Sequence, residues 1–380
     1  MNHNQTNPPR AADKPLFTPG PLTTSLSVKQ AMLRDLGSRD EAFIRTVQEI
    51  RDGLLRVAGV DAGDYEAVPM QGSGTFAIES VFSSCVPRDG TVLLAINGAY
   101  GKRMAQICKV LGIETVTLSV PEHSKIDPAA IQQSIADHPE IDLVAVVHCE
   151  TTTGIFNPIE AIGEAVQSTG KQYFVDAMSS FGAVPIDFTK AHIDYLVSSA
   201  NKCIEGVPGF AFAIARTDAL KSTAGQARSL SLDLLAQWQG LEQSGQFRFT
   251  PPTHALLAFH QALQELADEG GAVGRAARYR RNYEATLAGM RALGFRAYLD
   301  PTDQGYIITS FRYPNHPDFS FEAFYDLISD AGYVIYPGKV SDADCFRIGH
   351  IGRLFEADAR ALVRAIAETL NTMNITLPKE

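Results

Sequence analysis

From about residue 64 to residue 215 the chain alternates short apolar runs with longer stretches whose apolar residues recur every three or four positions. The runs TVLLAI (91–96), TVTLSV (115–120), DLVAVVH (142–148), QYFVDA (172–177), DYLVSS (194–199) and GFAFAIA (209–215) are apolar, and several are rich in β-branched residues. That texture predicts strands buried on both faces. Between them, FAIESVFSSCV and RMAQICKVLG have helical spacing, and the second closes on Gly112, where a C-capping glycine belongs. Strands and helices in this order predict βα units wound into a mostly parallel sheet.

Past residue 265 the texture changes. A charged helix is predicted over 275–294, followed by strand-like YIITSFR, helix-like FEAFYDLISDAG and strand-like YVIYP. The expected organisation is a disordered polar tail (1–14), a large α/β domain (15–265) and a smaller C-terminal α+β domain (266–380). Within the long helix, the RYRR run at 278–281 reads as a solvated charged face.

Charge and cysteine content narrow the function. The chain carries 33 basic against 43 acidic side chains, a net charge of −10, which leaves no basic footprint for nucleic acid or an anionic membrane. No apolar run approaches the roughly 20 residues of a membrane helix. The N-terminus lacks the apolar core of a secretory signal, so a cytoplasmic protein is expected. Five dispersed cysteines, with no CxxC and no Cys/His spacing suited to zinc, fit a reducing compartment and no metal site. Cys203 reads as a packed structural thiol.

Three segments carry chemistry. QGSGTFAIES (71–80) is a Gly-Ser-Gly-Thr turn feeding a helix, where exposed amides and the helix dipole attract an anion and the Ser73 and Thr75 hydroxyls add donors. The same turn is also an ordinary helix N-cap. Asp176 ends an apolar strand, at the edge of an α/β sheet where ligands gather. Lys202 follows another strand, in SSANKCIEGVPGF. Singly, Asp176 suits a helix cap and Lys202 a snorkelling side chain. Together a carboxylate for a protonated pyridine nitrogen, an amine able to condense with an aldehyde, and a phosphate cradle are what pyridoxal phosphate requires. A nicotinamide-dependent oxidoreductase would need a glycine fingerprint after the first strand, and none is present.

FTPGP, GSGT, NGAYGKR, HCETTTG, VDAMSSFG, SSANK, RFTPPTH and FRIGHIG occur in an order and spacing that resembles the class V aminotransferases, within the fold type I pyridoxal-phosphate superfamily. The resemblance spans roughly residues 16–370. It implies a mostly parallel seven-stranded sheet flanked by helices, a small C-terminal α+β domain, and pyridoxal 5'-phosphate as cofactor. Carried over by motif, it implies that Lys202 binds the cofactor covalently and acts in catalysis with Asp176, which holds the pyridine nitrogen. Tyr100 would stack on the ring; Ser73, Gly74, Thr75 and Ser199 would hold the phosphate, and Thr151 would lie near the ring hydroxyl. Thr250 would reach the phosphate of a neighbouring subunit, which implies a homodimer with shared active sites. Arg347 would grip the substrate's acidic group.

TPGPLTTS, SSANKCIEGVPGFAFAIAR, RSLSLDL and YPGKVSDADCFRIG are similar to a branch of that family that moves an amino group from 2-aminoethylphosphonate to pyruvate by a ping-pong mechanism. The alternative within the family is an alanine– or serine–glyoxylate transaminase. A phosphonate carries more charge than a carboxylate, so a second donor beside Arg347 is expected. Ser25 is the candidate, with Arg34 and Arg39 as rivals. His148 reads as a satisfied structural histidine.

Overall fold

The computed structural model describes residues 13–378, so most of the tail predicted over residues 1–14 lies outside the described residues. The central feature is a seven-stranded sheet. Its strands are β1 (Tyr65–Gln71), β2 (Thr91–Ile96), β3 (Glu114–Ser119), β4 (Ile141–Val147), β7 (Gln172–Asp176), β8 (Tyr195–Ser199) and β9 (Phe210–Arg216). Between β4 and β7 a two-residue hairpin, β5 (Cys149–Glu150) and β6 (Ile155–Phe156), carries the threonine turn of HCETTTG. The spatial order is β1-β9-β8-β7-β4-β2-β3, and only β9 runs antiparallel to its neighbours.

Two strands of this sheet depart from the sequence reading. β1, YEAVPMQ, was not among the expected strands: Pro69 argues against a central strand, yet β1 lies at the sheet edge, where a missing N–H is tolerated. β3 was expected to be buried on both faces; it is the opposite edge strand, and its six side chains are exposed or half-buried. The inner strands β2, β8 and most of β4 are buried throughout. Gly112 ends the helix Ala99–Leu111 in a left-handed conformation, φ 66°, as expected of a C-cap.

The parallel strands end together. Val147 lies beside Asp176, and Asp176 beside Val197. The residues just beyond β2, β4, β7 and β8 therefore share one edge, which brings the Tyr100 turn, His148, Asp176 and the Lys202 loop together.

A second sheet of β10 (Ile308–Arg312), β11 (Tyr336–Pro337) and β12 (Cys345–Gly349), in the order β10-β12-β11, packs against the helices Phe321–Asp330 and Glu356–Thr372. Alternation along β12 decides its two faces. Phe346 and Ile348 enter an aromatic core, where Phe346 lies 5.3 to 5.8 Å from Phe295, Phe311 and Phe324. Each such pair contributes about 0.5–1.5 kcal/mol beyond its buried area. Arg347, between them, faces the other way, toward the large sheet. Phe17 also belongs to this second core, and Leu16 bridges Val334, so the N-terminal segment crosses to the smaller layer.

The RYRR run is not a uniformly solvated face. Arg280 and Arg281 are exposed, but Arg278 and Tyr279 are buried, with Arg275 one turn earlier. Arg278 donates to Glu205 (2.7 Å) and Glu269 (2.7 Å), Arg275 to Glu269 (2.7 Å), and the Tyr279 hydroxyl to Glu205 (2.6 Å). Arg275 Nη1 also reaches the Cys203 carbonyl, and Arg278 Nη1 the Gly352 carbonyl. The helix Gly271–Ala292 thus ties the Lys202 loop to the turn that follows β12.

Candidate active site

Asp176, the last residue of β7, is 1% exposed. Its Oδ1 accepts from the Met178 amide at 2.9 Å, and Oδ2 has no hydrogen-bond partner among the described residues. Burial pushes its carboxyl up to about 7, against the pull of the Met178 amide, Lys202 and Arg103. A buried carboxyl in that state lacks a cation.

Lys202 lies in the loop after β8, partly buried, and its Nζ donates to the Pro19 carbonyl at 2.7 Å. Burial lowers its amine below the ordinary lysine range, while Tyr100, Cys203 and Asp176 pull the other way. Proline and glycine of the N-terminal FTPGP segment thus lie against Lys202.

Tyr100 opens the helix Ala99–Leu111. Its turn is held by Glu150, a fully buried carboxylate of HCETTTG that accepts from the Tyr100 amide (3.1 Å) and from the amide and hydroxyl of Thr152 (3.1 and 2.7 Å). Gly98 permits this approach, because a Cβ there would overlap the Glu150 side chain. Burial alone would raise the Tyr100 phenol, but Lys202, the Thr151 hydroxyl, Lys339 and Arg347 together bring it below the ordinary tyrosine range. Arg103 and Lys339 lie 5.0 and 5.3 Å from the Tyr100 ring centre.

Arg347 is 2% exposed. Its Nε donates to the Pro337 carbonyl (2.9 Å) and Nη1 to the Thr151 carbonyl (3.0 Å), which fixes the plane of the guanidinium. Burial lowers its pKa and Tyr100 partly restores it.

The GSGT turn leads into the helix Gly74–Cys85. Ser73 is its N-cap residue but makes no capping bond, so the first amides of the helix have no side-chain acceptor. Gly74 packs against Met178, where a Cβ would overlap the sulfur. The cradle therefore sits directly beside the residue two positions after Asp176.

The structure brings Lys202, Asp176, Tyr100, Thr151 and Arg347 together, with the Ser73–Gly74–Thr75 turn adjoining them through Met178. Ser199 is buried at the end of β8, and its hydroxyl donates to Asn201 at 3.0 Å. Thr250 is exposed, and its carbonyl accepts from Gln71 Nε2 at 3.3 Å. The Ser25 hydroxyl caps the helix Leu26–Ala31 and donates to Glu265 at 2.8 Å. Arg34 and Arg39 are exposed in the segment beyond that helix. His148 is buried with its Nδ1 unpartnered rather than satisfied, and burial lowers the ring to about 4, so it stays neutral. Cys203 donates to the Ser179 carbonyl, and burial raises its thiol to about 12. Glu150, Arg103 and Lys339 were missed. All three fall inside motifs already singled out, but nothing in the string says which neighbour they face.

Among the described residues no helix is long and apolar enough to cross a membrane. The family model for class V aminotransferases matches residues 24–326. A 2-aminoethylphosphonate–pyruvate transaminase of Klebsiella pneumoniae is 52% identical over 353 residues, 92% of this chain and 96% of that protein. Among solved structures, a pyridoxamine–pyruvate aminotransferase from Mesorhizobium loti is similar with a TM-score of 0.88 at 26% identity, over 97% of this chain and 95% of that one. An alanine–glyoxylate aminotransferase from Nostoc sp. has a TM-score of 0.87 at 25% identity, over 97% and 99% of the two chains.

Proposed function

The chain belongs to the class V aminotransferases, and we propose that it transfers the amino group of 2-aminoethylphosphonate to pyruvate, giving phosphonoacetaldehyde and L-alanine. The likeness to the Klebsiella relative, at twice the identity of the alanine–glyoxylate enzyme, favours this reading over a glyoxylate-dependent one. The observation that carries the cofactor is the Asp176 carboxyl, buried, held near 7 and lacking a partner at Oδ2. That is the environment a protonated pyridine nitrogen completes. The uncapped amides behind Ser73 suit its phosphate.

Bound pyridoxal 5'-phosphate supplies an aldehyde to receive the amino group and an electron-withdrawing ring that acidifies the neighbouring C–H. The chain does the rest. Lys202, whose amine is biased toward its neutral form by burial, serves as the base that takes a proton from one carbon and returns it to another. Asp176 keeps the ring nitrogen protonated. Tyr100, positioned through its amide by Glu150, would pack against the ring, and Thr151 would meet the ring hydroxyl. Ser73, Gly74, Thr75 and Ser199 would hold the phosphate. Arg347, its plane fixed by two carbonyls, takes the acidic group of each substrate in turn. Using one anion site for both substrates is consistent with a ping-pong order.

A second copy of the chain completes the site in this reading. Thr250 is exposed beside Phe249, and Phe76 and Leu230 are exposed large apolar side chains. Their burial in a homodimer would let Thr250 reach the partner's phosphate cradle.

Supplying pyridoxal phosphate, 2-aminoethylphosphonate and pyruvate to the purified protein should yield equal amounts of alanine and phosphonoacetaldehyde. Serine with glyoxylate should be used far more slowly. No alanine from the phosphonate donor, with brisk turnover of serine and glyoxylate, would reject this reading for its alternative.

A further inference from the structure

Arg347 brings one positive charge to the substrate's acidic group, whereas a fully ionised phosphonate carries two negative charges and a carboxylate one. A second cation acts on the same phenol, that of Tyr100. Tyr336 of β11 pairs with Arg347 of β12, and Gly338 then turns the chain, its amide donating to the Cys345 carbonyl at 2.9 Å. Lys339 follows, with Nζ 5.3 Å from the centre of the Tyr100 ring. The Tyr100 phenol in turn interacts with Lys202, Lys339 and Arg347.

The loop is tied on its far side as well. The Ser341 amide donates to Glu122 at 2.8 Å, and the Tyr298 hydroxyl to Asp342 at 2.8 Å. These acids have other partners, Glu122 also pairing with Lys102 at 3.0 Å. Lys339, exposed in a loop that contains Asp342 and Asp344, forms no ion pair or hydrogen bond among the described residues. A lysine that pairs with neither acid of its own loop and sits over the Tyr100 ring has its charge available for a ligand.

We propose that Lys339 is the second cation of the substrate-anion subsite, acting with Arg347 and setting the preference for a phosphonate over a carboxylate. This rests on the aminophosphonate reading above. Arg347 alone matches a carboxylate through its planar fork. A dianion has further oxygens to offer, and the compact ammonium on its flexible stem can reach one of them as a charge-assisted bond. When pyruvate or alanine occupies the site, the same ammonium can swing into water at little cost.

The test compares Lys339→Met and Lys339→Arg with the unaltered holoenzyme. In Lys339→Met the ratio of kcat/KM for 2-aminoethylphosphonate to that for alanine should fall about 10- to 100-fold, the worth of one charged hydrogen bond. Lys339→Arg should restore most of it. Inhibition by ethylphosphonate should weaken much more than inhibition by propionate. Equal weakening of both inhibitors, with an unchanged ratio of donors, would overturn the proposal and reduce Lys339 to a support for Tyr100. If the unaltered enzyme fails to use the aminophosphonate, the functional reading falls separately. The two inhibitors still report whether Lys339 distinguishes the anions.

Discussion

Two clusters of charge flank the Lys202 loop, and they are resolved in opposite ways. On one side Glu205 and Glu269 face Arg275 and Arg278, two carboxylates against two guanidiniums, with Tyr279 adding a hydroxyl. Charge there is closed on itself. On the other side Lys202, Arg347, Lys339 and Arg103 gather around Tyr100. The two carboxylates available to them, Asp176 and Glu150, are both raised by burial, and Glu150 is occupied by amides and a hydroxyl. The second cluster is left with an excess of positive charge. Balanced charge is architecture; unbalanced charge in a cleft marks where anionic ligands bind.

The sharpest way to break that contrast is to remove one member from each cluster. Lys202→Met should lower turnover by about 10³-fold or more, the scale of a lost proton-transfer group. The melting temperature of the cofactor-free protein should hold or rise, because a partly desolvated amine with a single carbonyl partner is lost. A fall of several degrees would make Lys202 a structural residue. Glu205→Ala should behave in reverse: urea unfolding should show a loss of about 3–5 kcal/mol, since two buried guanidiniums lose a shared partner. A loss under about 1 kcal/mol would mean that the network is not what joins the Lys202 loop to the helix Gly271–Ala292.

A smaller effect concerns pH. In the cofactor-free protein Asp176 holds its proton up to about 7, whereas in the unfolded chain it ionises near 3.9. Below about pH 4 both states are protonated and the full contribution is present. As pH rises from there through 7 only the unfolded chain ionises, so stability falls, by at most about 1.4 kcal/mol per pH unit. Asp176→Asn should remove this slope, which denaturant titrations of both proteins at pH 5, 6 and 7 would measure. Parallel slopes would mean that Asp176 is already paired.

Much of the frame was legible because it is local. Apolar runs of five to seven residues marked the inner strands, and Gly112 marked a helix end. The misreadings share a cause. TVTLSV has the composition of a buried strand, yet β3 is an edge strand, because its place in the sheet depends on which crossover lies outside it. RYRR looked like a solvated face, and two of its members are, but Arg278 and Tyr279 meet Glu205 more than 70 residues away. The bond of Ser25 to Glu265 likewise joins residues far apart in the chain.

By itself the sequence determined the αβ alternation, the strand ends that carry Asp176 and Lys202, and the glycines that let a backbone approach Met178 and Glu150. Those properties follow from the period of a strand or helix and from the volume of a side chain, which are local. Only the tertiary structure decided which charges cancel. Glu205 found two arginines; Lys339, more than 200 residues from Tyr100, came to rest beside it and paired with no acid of its own loop. Charge balance is a sum over neighbours in space, and the neighbours are chosen by packing.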